Sequence, residues 1–285
     1  MDKGDVTPLA PGLYVVATPI GNLSDITFRA IEVLQQVDVI ACEDTRHTRK
    51  LLDHYGLSKP TVSYHEHNEA DRAQELLARL TRGERIAVVS DAGTPGISDP
   101  GYRVIRAAIG AGVAVFAVPG PAAFVAALAA SGLPSDAFAF RGFLPARRGE
   151  RRSALEAIAD SELTEIFYEA PHRLLEALED IVTTLGAERP VAIARELTKI
   201  HEQFFRGPAS QVLEQVRARA ATKGEIVLLI GKGVRVPAGT AGLSTRFAEL
   251  AAQGLDEKAA IKQLAKEAGL SRDEVFRELQ RRRSR

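Results

Sequence analysis

Short apolar runs alternate with amphipathic stretches through the first 118 residues of the chain. The amphipathic stretches, such as Phe28 to Gln36, repeat their apolar positions at helical spacing. The apolar runs are short, as is typical of buried strands. They are Leu13–Ala17, Asp38–Cys42, Thr61–Tyr64, Arg85–Ser90 and Val113–Val118. Because strands that alternate with helices pair in parallel, the pattern predicts a first α/β domain over residues 1–118 with a mostly parallel sheet.

A second α/β pattern follows Pro119-Gly120-Pro121 and continues to residue 236. Two of its predicted strands, Pro190 to Glu196 and Glu202 to Arg206, are separated by too few residues for a parallel crossover. We therefore expect these strands to pair antiparallel, and the second α/β domain, over residues 119–236, to contain a mixed sheet.

The last part of the chain, residues 237–285, shows only helical periodicity. It follows a glycine-rich segment, Gly231 to Gly242, that is typical of a linker. Asp256 is placed to cap one helix, and Ser271 with Glu274 forms a capping box for the next. Two short helices around a glycine turn predict a small all-α module of the helix-turn-helix kind.

The 37 Lys and Arg residues balance 37 Asp and Glu residues, and this net charge of zero excludes a protein that coats nucleic acid through uniform positive charge. The total conceals a gradient. The formal charge is −3 over residues 1–118, zero over residues 119–236 and +3 over residues 237–285. The distribution leaves room for local phosphate contacts, above all in the tail.

A single cysteine, Cys42, excludes a disulfide framework and a cysteine-based zinc site. His65 and His67 are two residues apart, but no third ligand has matching spacing, so we expect no metal site. No apolar run approaches the roughly 18 residues that a membrane span requires. The N-terminus lacks the apolar core of a signal peptide, and we therefore expect a cytoplasmic protein with no membrane partner.

The loop with the most candidate chemistry is VSDAGTPGISDPG, from Val89 to Gly101, after the fourth predicted strand. Ligands of open α/β sheets bind at the carboxyl ends of strands, and this loop exceeds the usual length of about 2–6 residues. It lacks the lysine of a phosphate-binding loop, and its aspartates would repel a polyphosphate, so we expect a neutral or cationic ligand. The next helix is expected to start at Pro100, with Asp99 as its N-cap.

Three other polar loops follow the first three strands, at residues 18–25, 43–46 and 65–69. Because the carboxyl ends of parallel strands share one edge of a sheet, we expect these loops to meet. Their spacing predicts a cleft dense in carboxylates, with Arg46 and His65 beside them.

Eight strings in the chain together resemble the ribosomal RNA small subunit methyltransferase I family, a branch of the tetrapyrrole methylase superfamily. They are TPIGNLSDIT, CEDTRHT, VSDAGTPGISDPG, VPGPAA, GFLP, FYEAPHR, ARELTKIHE and KGEIVLLI. The resemblance spans Leu13 to Ile230, and VSDAGTPGISDPG with FYEAPHR is its most specific part. It implies two α/β domains of the tetrapyrrole methylase type (class III methyltransferases), followed by a helical module that contacts RNA.

The resemblance implies an enzyme that uses S-adenosylmethionine to methylate the ribose 2′-hydroxyl of a cytidine in the decoding region of 16S ribosomal RNA. The implied substrate is the assembled 30S subunit, and the implied assembly is a homodimer with the cofactor between two α/β domains. Carried over by motif, with Pro19 added from the first polar loop, the expected cofactor-binding residues are Pro19, Asp91, Gly93, Thr94, Gly96, Ile97, Pro121, Ala122, Ala123, Tyr168, Ala194, Gly224 and Glu225.

A ribose hydroxyl is a poor nucleophile, so a general base or a polarising cation is expected. The candidate catalytic residues, among which the sequence does not choose, are Glu43, Asp44, Arg46, His65, Glu169 and Lys199. The expected RNA contacts are Arg147, Arg148, Arg151, Arg152, Arg173, Arg281, Arg282 and Arg283.

Two alternative functions remain open. A tetrapyrrole C-methylase would share the implied fold, although the arginines at 147–152 and in the tail favour a phosphate backbone as the partner. The other alternative is a non-enzymatic regulator that binds nucleic acid through its helix-turn-helix. Against it, Asp273, Glu274 and Glu278 lie on the predicted recognition helix and would repel phosphates. Binding of S-adenosylmethionine separates both methylases from the regulator.

Overall fold

The computed structural model describes residues 8–219, 223–233, 243–268 and 270–283. The chain divides into two compact units. The larger unit, residues 1–159 with 163–232, contains two α/β domains. The smaller unit, residues 160–162 with 233–285, contains the C-terminal helices.

The first α/β domain has one parallel sheet, as predicted. Its strands are β1 (Gly12–Val16), β2 (Val39–Cys42), β3 (Thr61–Ser63), β4 (Arg85–Val89) and β5 (Val115–Val118). Its helices are α1 (Phe28–Gln36), α2 (Thr45–His54), α3 (Glu69–Leu80) and α4 (Tyr102–Gly110), with a 3₁₀ turn at Leu23–Asp25. The strand order is β3-β2-β4-β1-β5, and every pairing is parallel.

Helices cover both faces of this first sheet. Tyr14 and Val16 of β1 pack in one apolar cluster with α1, whereas Leu13 packs in another with α3 and α4. Because both faces are buried, the strands consist of continuous apolar runs rather than alternating ones.

The helix after β4 begins later than predicted. α4 starts at Tyr102, with Gly101 at φ +148° as its N-cap, so the prediction that Asp99 caps a helix starting at Pro100 is wrong. The carboxylate of Glu69, 32 residues away, accepts a hydrogen bond of 3.3 Å from the Gly101 backbone N–H. A side chain from another helix therefore partners this N-terminus, and Asp99 lines a cavity instead.

The second α/β domain has a mixed sheet, as predicted. Its strands are β6 (Phe138–Phe143), β7 (Thr164–Glu169), β8 (Pro190–Arg195), β9 (Gln203–Pro208) and β10 (Ile226–Ile230). Its helices are α5 (Ala123–Ser131), α6 (Arg148–Glu156), α7 (Leu174–Leu185) and α8 (Ala209–Arg217). The order is β6-β7-β10-β8-β9, in which only β6 and β7 pair in parallel. Helices α6 to α8 pack on one face and α5 on the other.

The smaller unit contains α9 (Leu243–Ala252), α10 (Glu257–Ala268) and α11 (Arg272–Arg283) around their own apolar cluster. Both predicted caps are confirmed. Asp256 Oδ1 accepts from the Ala259 N–H at 2.7 Å, and Ser271 and Glu274 bond reciprocally. The side chains of Arg281, Arg282 and Arg283 lie outside the described residues, so their predicted RNA contact stays a prediction. Within the described ranges, no helix combines the length and apolarity that spanning a bilayer needs.

Candidate functional site

A cavity of about 360 Å³ is lined by both α/β domains, and we call it the main cavity. From the first domain it is lined by Ile20, Ala92, Gly93, Thr94, Ile97, Ser98 and Asp99. From the second it is lined by Ala122, Ala123, Phe124, Phe143, Tyr168, Glu169, Ala170, Pro171, Ala194, Leu197, Gly224, Glu225, Ile226 and Val227. Its volume lies within the range of small-ligand sites, about 300–1,000 Å³.

Backbone hydrogen bonds fix the loops that form the first-domain wall. Thr18 and Gly93 exchange N–H to O bonds of 2.8 and 3.0 Å, so the loops after β1 and β4 are joined directly. The hydroxyl of Thr94 donates to the carbonyl of Pro121 at 3.3 Å, which ties this wall to the start of the second domain. Hydrogen bonds within the protein therefore fix these two loops at the sheet edge where the sequence predicts a ligand.

Aromatic and small residues form the second-domain wall. Tyr168 packs edge-on against Phe140 and Phe143, with ring centroids 4.9 and 5.6 Å apart. Phe143 keeps 58% of its surface exposed and can contribute a flat apolar face to a ligand. Ala122, Ala123 and Ala194 leave room beside these rings.

The charged groups of the main cavity are acidic. Burial, with the charges of Glu43 and Asp91, raises the pKa of Asp99 to about 6. Burial and the charge of Asp91 also raise the pKa of Glu43, whose own charge acts on Asp99. Among the described residues that line this cavity, none is Lys or Arg. The site therefore favours a cationic or neutral ligand over a polyphosphate, in agreement with the prediction from the 89–101 loop.

Glu169 is held with one carboxylate oxygen engaged and the other without a partner. Its Oε1 accepts from Arg173 at 2.6 Å and from the Ala170 N–H at 2.7 Å. Its Oε2 is buried and has no hydrogen-bond partner among the described residues. A buried acceptor without a partner is costly, and Glu169 carries this cost at a position that lines the main cavity.

A second cavity of about 320 Å³ adjoins the main one, and we call it the side cavity. The two cavities share Ile20, Ala92 and Glu225 in their walls. The further lining residues of the side cavity are Thr18, Pro19, Gly21, Leu23, His47, Thr48, Lys50, Leu51, Ser90, Asp91 and Lys199. Unlike the main cavity, its lining contains lysines.

Lys199 is the predicted catalytic residue that lines the side cavity. Its ammonium contacts Glu196 at 2.9 Å and Glu225 at 3.2 Å. Partial burial opposes the charge, but the bond to Glu196 and the charge of Glu225 outweigh it and raise the pKa of Lys199. A Cβ on Gly21 would lie only 2.6 Å from the Lys199 side chain, so glycine is required where the two loops meet. Lys199 is thus fixed as a cation.

The predicted cofactor residues divide between the two cavities. Nine line the main cavity: Gly93, Thr94, Ile97, Ala122, Ala123, Tyr168, Ala194, Gly224 and Glu225. Pro19 and Asp91 line the side cavity, as Glu225 also does. Gly96 precedes Ile97 in the same loop, and Pro121 contributes the carbonyl that accepts from Thr94.

The remaining catalytic candidates lie outside the described lining of both cavities. Asp44 accepts from the Arg46 backbone N–H at 2.8 Å at the start of α2, and it also pairs with the exposed Arg46 guanidinium. The Asp44 N–H donates to Asp91 Oδ1 at 3.1 Å. His65 contacts Asn68 beyond β3, and Glu43 precedes Asp44. Glu169 and Lys199 are thus the two catalytic candidates that line a cavity among the described residues. The described residues contain no group of three side chains suited to a metal ion.

The arginines predicted to contact RNA have different environments. Arg147 is exposed and pairs with Glu150. Arg148 and Arg152 pair with Asp180 and keep surface exposed. Arg151 is different, because its side chain is only 1% exposed and its guanidinium is bound to Asp180, to Glu176 and to the Ala146 carbonyl. Arg151 is thus unavailable to a phosphate, and we remove it from the predicted RNA contacts. Arg173 is mostly buried against Glu169.

Several lining residues were not singled out from the sequence. Phe143 stands in the GFLP string, but nothing in the string indicates that its ring lines a cavity. The sequence pattern predicts a helix cap for Asp99, a common role for that residue type before Pro. Ile20, Leu197 and Val227 are apolar residues beside strand ends, and their contribution depends on how the two domains meet.

Comparison with known proteins agrees with this geometry. The family model Tetrapyrrole (Corrin/Porphyrin) Methylases matches residues 12–213. The ribosomal RNA small subunit methyltransferase I of Synechocystis sp. is 48% identical over 267 residues, which are 93% of this chain and 95% of the relative. The protein of the same name from Escherichia coli O157:H7 is 53% identical over 219 residues, 76% of this chain and 77% of the relative.

Among solved structures, the methyltransferase CobJ is similar with a TM-score of 0.59. The likeness covers 78% of this chain and 94% of that protein, at 21% sequence identity. At this identity the likeness concerns the fold alone, and it confirms the predicted pair of α/β domains.

Proposed function

Because the chain belongs to the ribosomal RNA small subunit methyltransferase I family of the tetrapyrrole methylases, we propose that it methylates the 2′-hydroxyl of a cytidine ribose in the decoding region of 16S ribosomal RNA. The proposed methyl donor is S-adenosylmethionine, and the proposed substrate is the assembled 30S subunit in the cytoplasm. The names of the relatives and the eight matching strings support this proposal.

The observation that carries the proposal is the chemistry of the main cavity. S-adenosylmethionine bears a sulfonium, an ammonium and a neutral nucleoside. The carboxylates of Asp99 and Glu225 suit the cationic groups, and Phe143 and Val227 suit the adenine. Glu169 adds a third acidic side chain to this lining. The nine predicted cofactor residues in this lining would hold the molecule.

When bound, the cofactor supplies an electrophilic methyl group on a positively charged sulfur. The task of this chain is then to align the acceptor oxygen with that methyl and to exclude water, and alignment is worth at most about 7–11 kcal/mol. Of the six catalytic candidates, we retain Glu169 in the main cavity and Lys199 in the side cavity. As a fixed cation, Lys199 positions the acceptor ribose or its phosphate rather than removing a proton.

We propose that the protein is a homodimer, and α5 supports this. The helix is apolar all round, and its exposed side includes Val125, Ala126 and Ala129. A helix without a polar face is normally covered on all sides. We expect light scattering to give about twice the chain mass of 30.7 kDa. Ala126→Glu should give the single chain mass. A wild-type protein with the mass of a single chain would contradict the proposed homodimer.

The proposed activity is tested with purified 30S subunits and S-adenosylmethionine carrying a labelled methyl group. We expect label in 16S RNA, at a ribose whose linkage resists alkaline hydrolysis because the 2′-hydroxyl is blocked. Label in a base, with normal alkaline cleavage, would refute ribose chemistry. Cofactor binding without transfer to RNA would favour the tetrapyrrole methylase alternative, and no cofactor binding would favour the regulator.

Cofactor affinity should depend on pH through Asp99. Its pKa of about 6 means that the carboxylate is charged at neutral pH and becomes protonated as the pH falls through 6. Because the charged form is the partner of a cation, affinity should fall below pH 6 by up to about tenfold per pH unit. Calorimetry between pH 5 and 8 would measure this. Asp99→Asn should bind the cofactor weakly, with an affinity that does not change with pH over this range. If this variant shows the same pH dependence as the wild-type protein, Asp99 is not its cause.

A further inference from the structure

Three arginines of α6 converge on one buried carboxylate of α7, Asp180. Arg151 binds Asp180 Oδ2 through Nε at 2.9 Å and through Nη2 at 2.8 Å. Arg148 and Arg152 bind the other oxygen, Oδ1, through their Nε atoms at 3.1 and 2.8 Å. The Asp180 side chain is 0% exposed. Burial opposes its charge, but these arginines outweigh burial and lower its pKa, so Asp180 is ionised at neutral pH.

Arg148 and Arg152 differ from Arg151 in their contacts. Each donates only its Nε to Asp180, and their Nη atoms have no acceptor among the described residues. Their side chains are 64% and 38% exposed. Residues four apart lie on one face of a helix. Asp180 therefore fixes Arg148 and Arg152 side by side through one nitrogen each, with four Nη atoms left to donate elsewhere.

This arrangement exceeds what helix packing requires. Arg151 alone already donates its Nε to one oxygen of Asp180, holds Nη2 within ion-pair distance of it, and also bonds Glu176 at 3.3 Å and the Ala146 carbonyl at 3.2 Å. A single buried ion pair would join α6 to α7. The additional arginines bring a local excess of positive charge to an exposed surface. Planar guanidinium groups with free Nη atoms match the oxygens of a phosphate in a two-point contact.

The pair also stands near the main cavity. Phe143 at the end of β6 lines that cavity, and α6 begins five residues later, at Arg148. A chain of five residues spans at most about 18 Å. The arginine pair is therefore within a few nucleotides of any ribose that reaches the cavity.

We propose that Arg148 and Arg152, oriented by Asp180, form a phosphodiester-binding fork for the RNA substrate. Asp180 is a positioning residue for the fork, and Arg151 is its structural support. This inference rests on the proposed function, since RNA is the partner. It deepens that function by stating which of the arginines in this segment contact the backbone and what orients them.

The fork is tested with Arg148→Gln, Arg152→Gln and the double variant, each as the full chain. Arg151 still pairs with Asp180 in these proteins, so the fold should be kept. We expect the KM for 30S subunits to rise on the order of tenfold per arginine, with kcat and cofactor affinity unchanged. The slope of log affinity against log salt should decrease by about 0.7–0.9 for each phosphate that the variant can no longer bind.

Arg82→Gln is the matched control. Arg82 is an exposed arginine paired with Glu84, just before β4 and hence at the opposite edge of the first sheet from the carboxyl ends of its strands. This variant should leave KM and the salt slope unchanged. An unchanged KM and salt slope in the double variant, with an active wild-type protein, would overturn the fork.

Asp180→Asn separates positioning from packing. In the wild-type background it should raise the KM for 30S subunits. In the background of the double arginine variant it should add no further increase, because the fork is already absent. An equal increase in both backgrounds would refute positioning.

If Asp180→Asn does not fold, the arginine variants alone decide whether Arg148 and Arg152 bind the RNA backbone. If the wild-type protein transfers no methyl group, the proposed activity fails. The fork is then tested by measuring the affinity of each variant for 30S subunits by sedimentation at several salt concentrations. The double variant should bind more weakly and with a smaller salt slope than the wild-type protein, and equal values would overturn the fork.

Discussion

Replacing Ala122 with tryptophan is expected to abolish binding of S-adenosylmethionine. Ala122 is half-buried, lines the main cavity and precedes α5 with φ −144° and ψ 117°, an extended conformation open to any side chain. An indole at this position would occupy a large part of a cavity of about 360 Å³. The space for the nucleoside would be lost. We expect affinity by calorimetry to fall at least about 100-fold, or about 2.8 kcal/mol.

The control for this substitution is Ala111→Trp. Ala111 is exposed after α4 and lines neither cavity. Its affinity should match that of the wild-type protein, and both variants should unfold within a few degrees of it. If Ala122→Trp folds and binds the cofactor normally, the main cavity is not the cofactor site.

Replacing Arg151 with alanine is expected to lower the free energy of unfolding by about 3–5 kcal/mol. The substitution removes the Nε hydrogen bond and the Nη2 ion-pair contact from Asp180 Oδ2 and leaves a buried carboxylate oxygen without a partner. Two arginines remain, but both donate to the other oxygen, Oδ1. Urea denaturation of the full chain at neutral pH measures the change.

The control is Arg148→Ala, which removes an exposed partner of the same carboxylate. It should cost less than about 1 kcal/mol. Because the arginines lower the pKa of Asp180 below its ordinary value of 3.8, the stabilisation is present at neutral pH and lost as the medium becomes more acidic than that value. The difference between wild type and Arg151→Ala should therefore shrink in acid. Equal losses in the two variants at neutral pH would show that Arg151 has no special role.

Most elements of the fold follow from local patterns in the sequence. The five apolar runs of the first domain form five parallel strands, because strands that alternate with helices pair in parallel. The close spacing of β8 and β9 likewise required antiparallel pairing. The start of α4 differs from the prediction because its partner, Glu69, belongs to another helix. Such a contact between distant residues is not visible in a local pattern.

The candidate site was predictable only where a motif marks it. The prediction that all four polar loops meet assumed that every strand end contributes equally. The observed order joins the loop after β4 directly to the loops after β1 and β2, through Thr18–Gly93 and Asp44–Asp91, and places β3 at the sheet edge. His65, which follows β3, is consequently outside the described lining of both cavities. The burial of Arg151 depends on how α6 packs against α7, which residue type alone does not indicate.

The order of the first sheet also affects how the protein is made. The interior strand β1 is the first to be synthesised, but Gly12 pairs with Arg85, about 70 residues later, and Leu13 pairs with Val115. At about 5–20 residues per second, roughly 4–15 s pass before β4 has been translated. During that time the apolar run Leu13–Val16 has no strand partner. The nascent chain is therefore expected to need shielding by a chaperone until the loop from Val89 to Gly101 has left the ribosome.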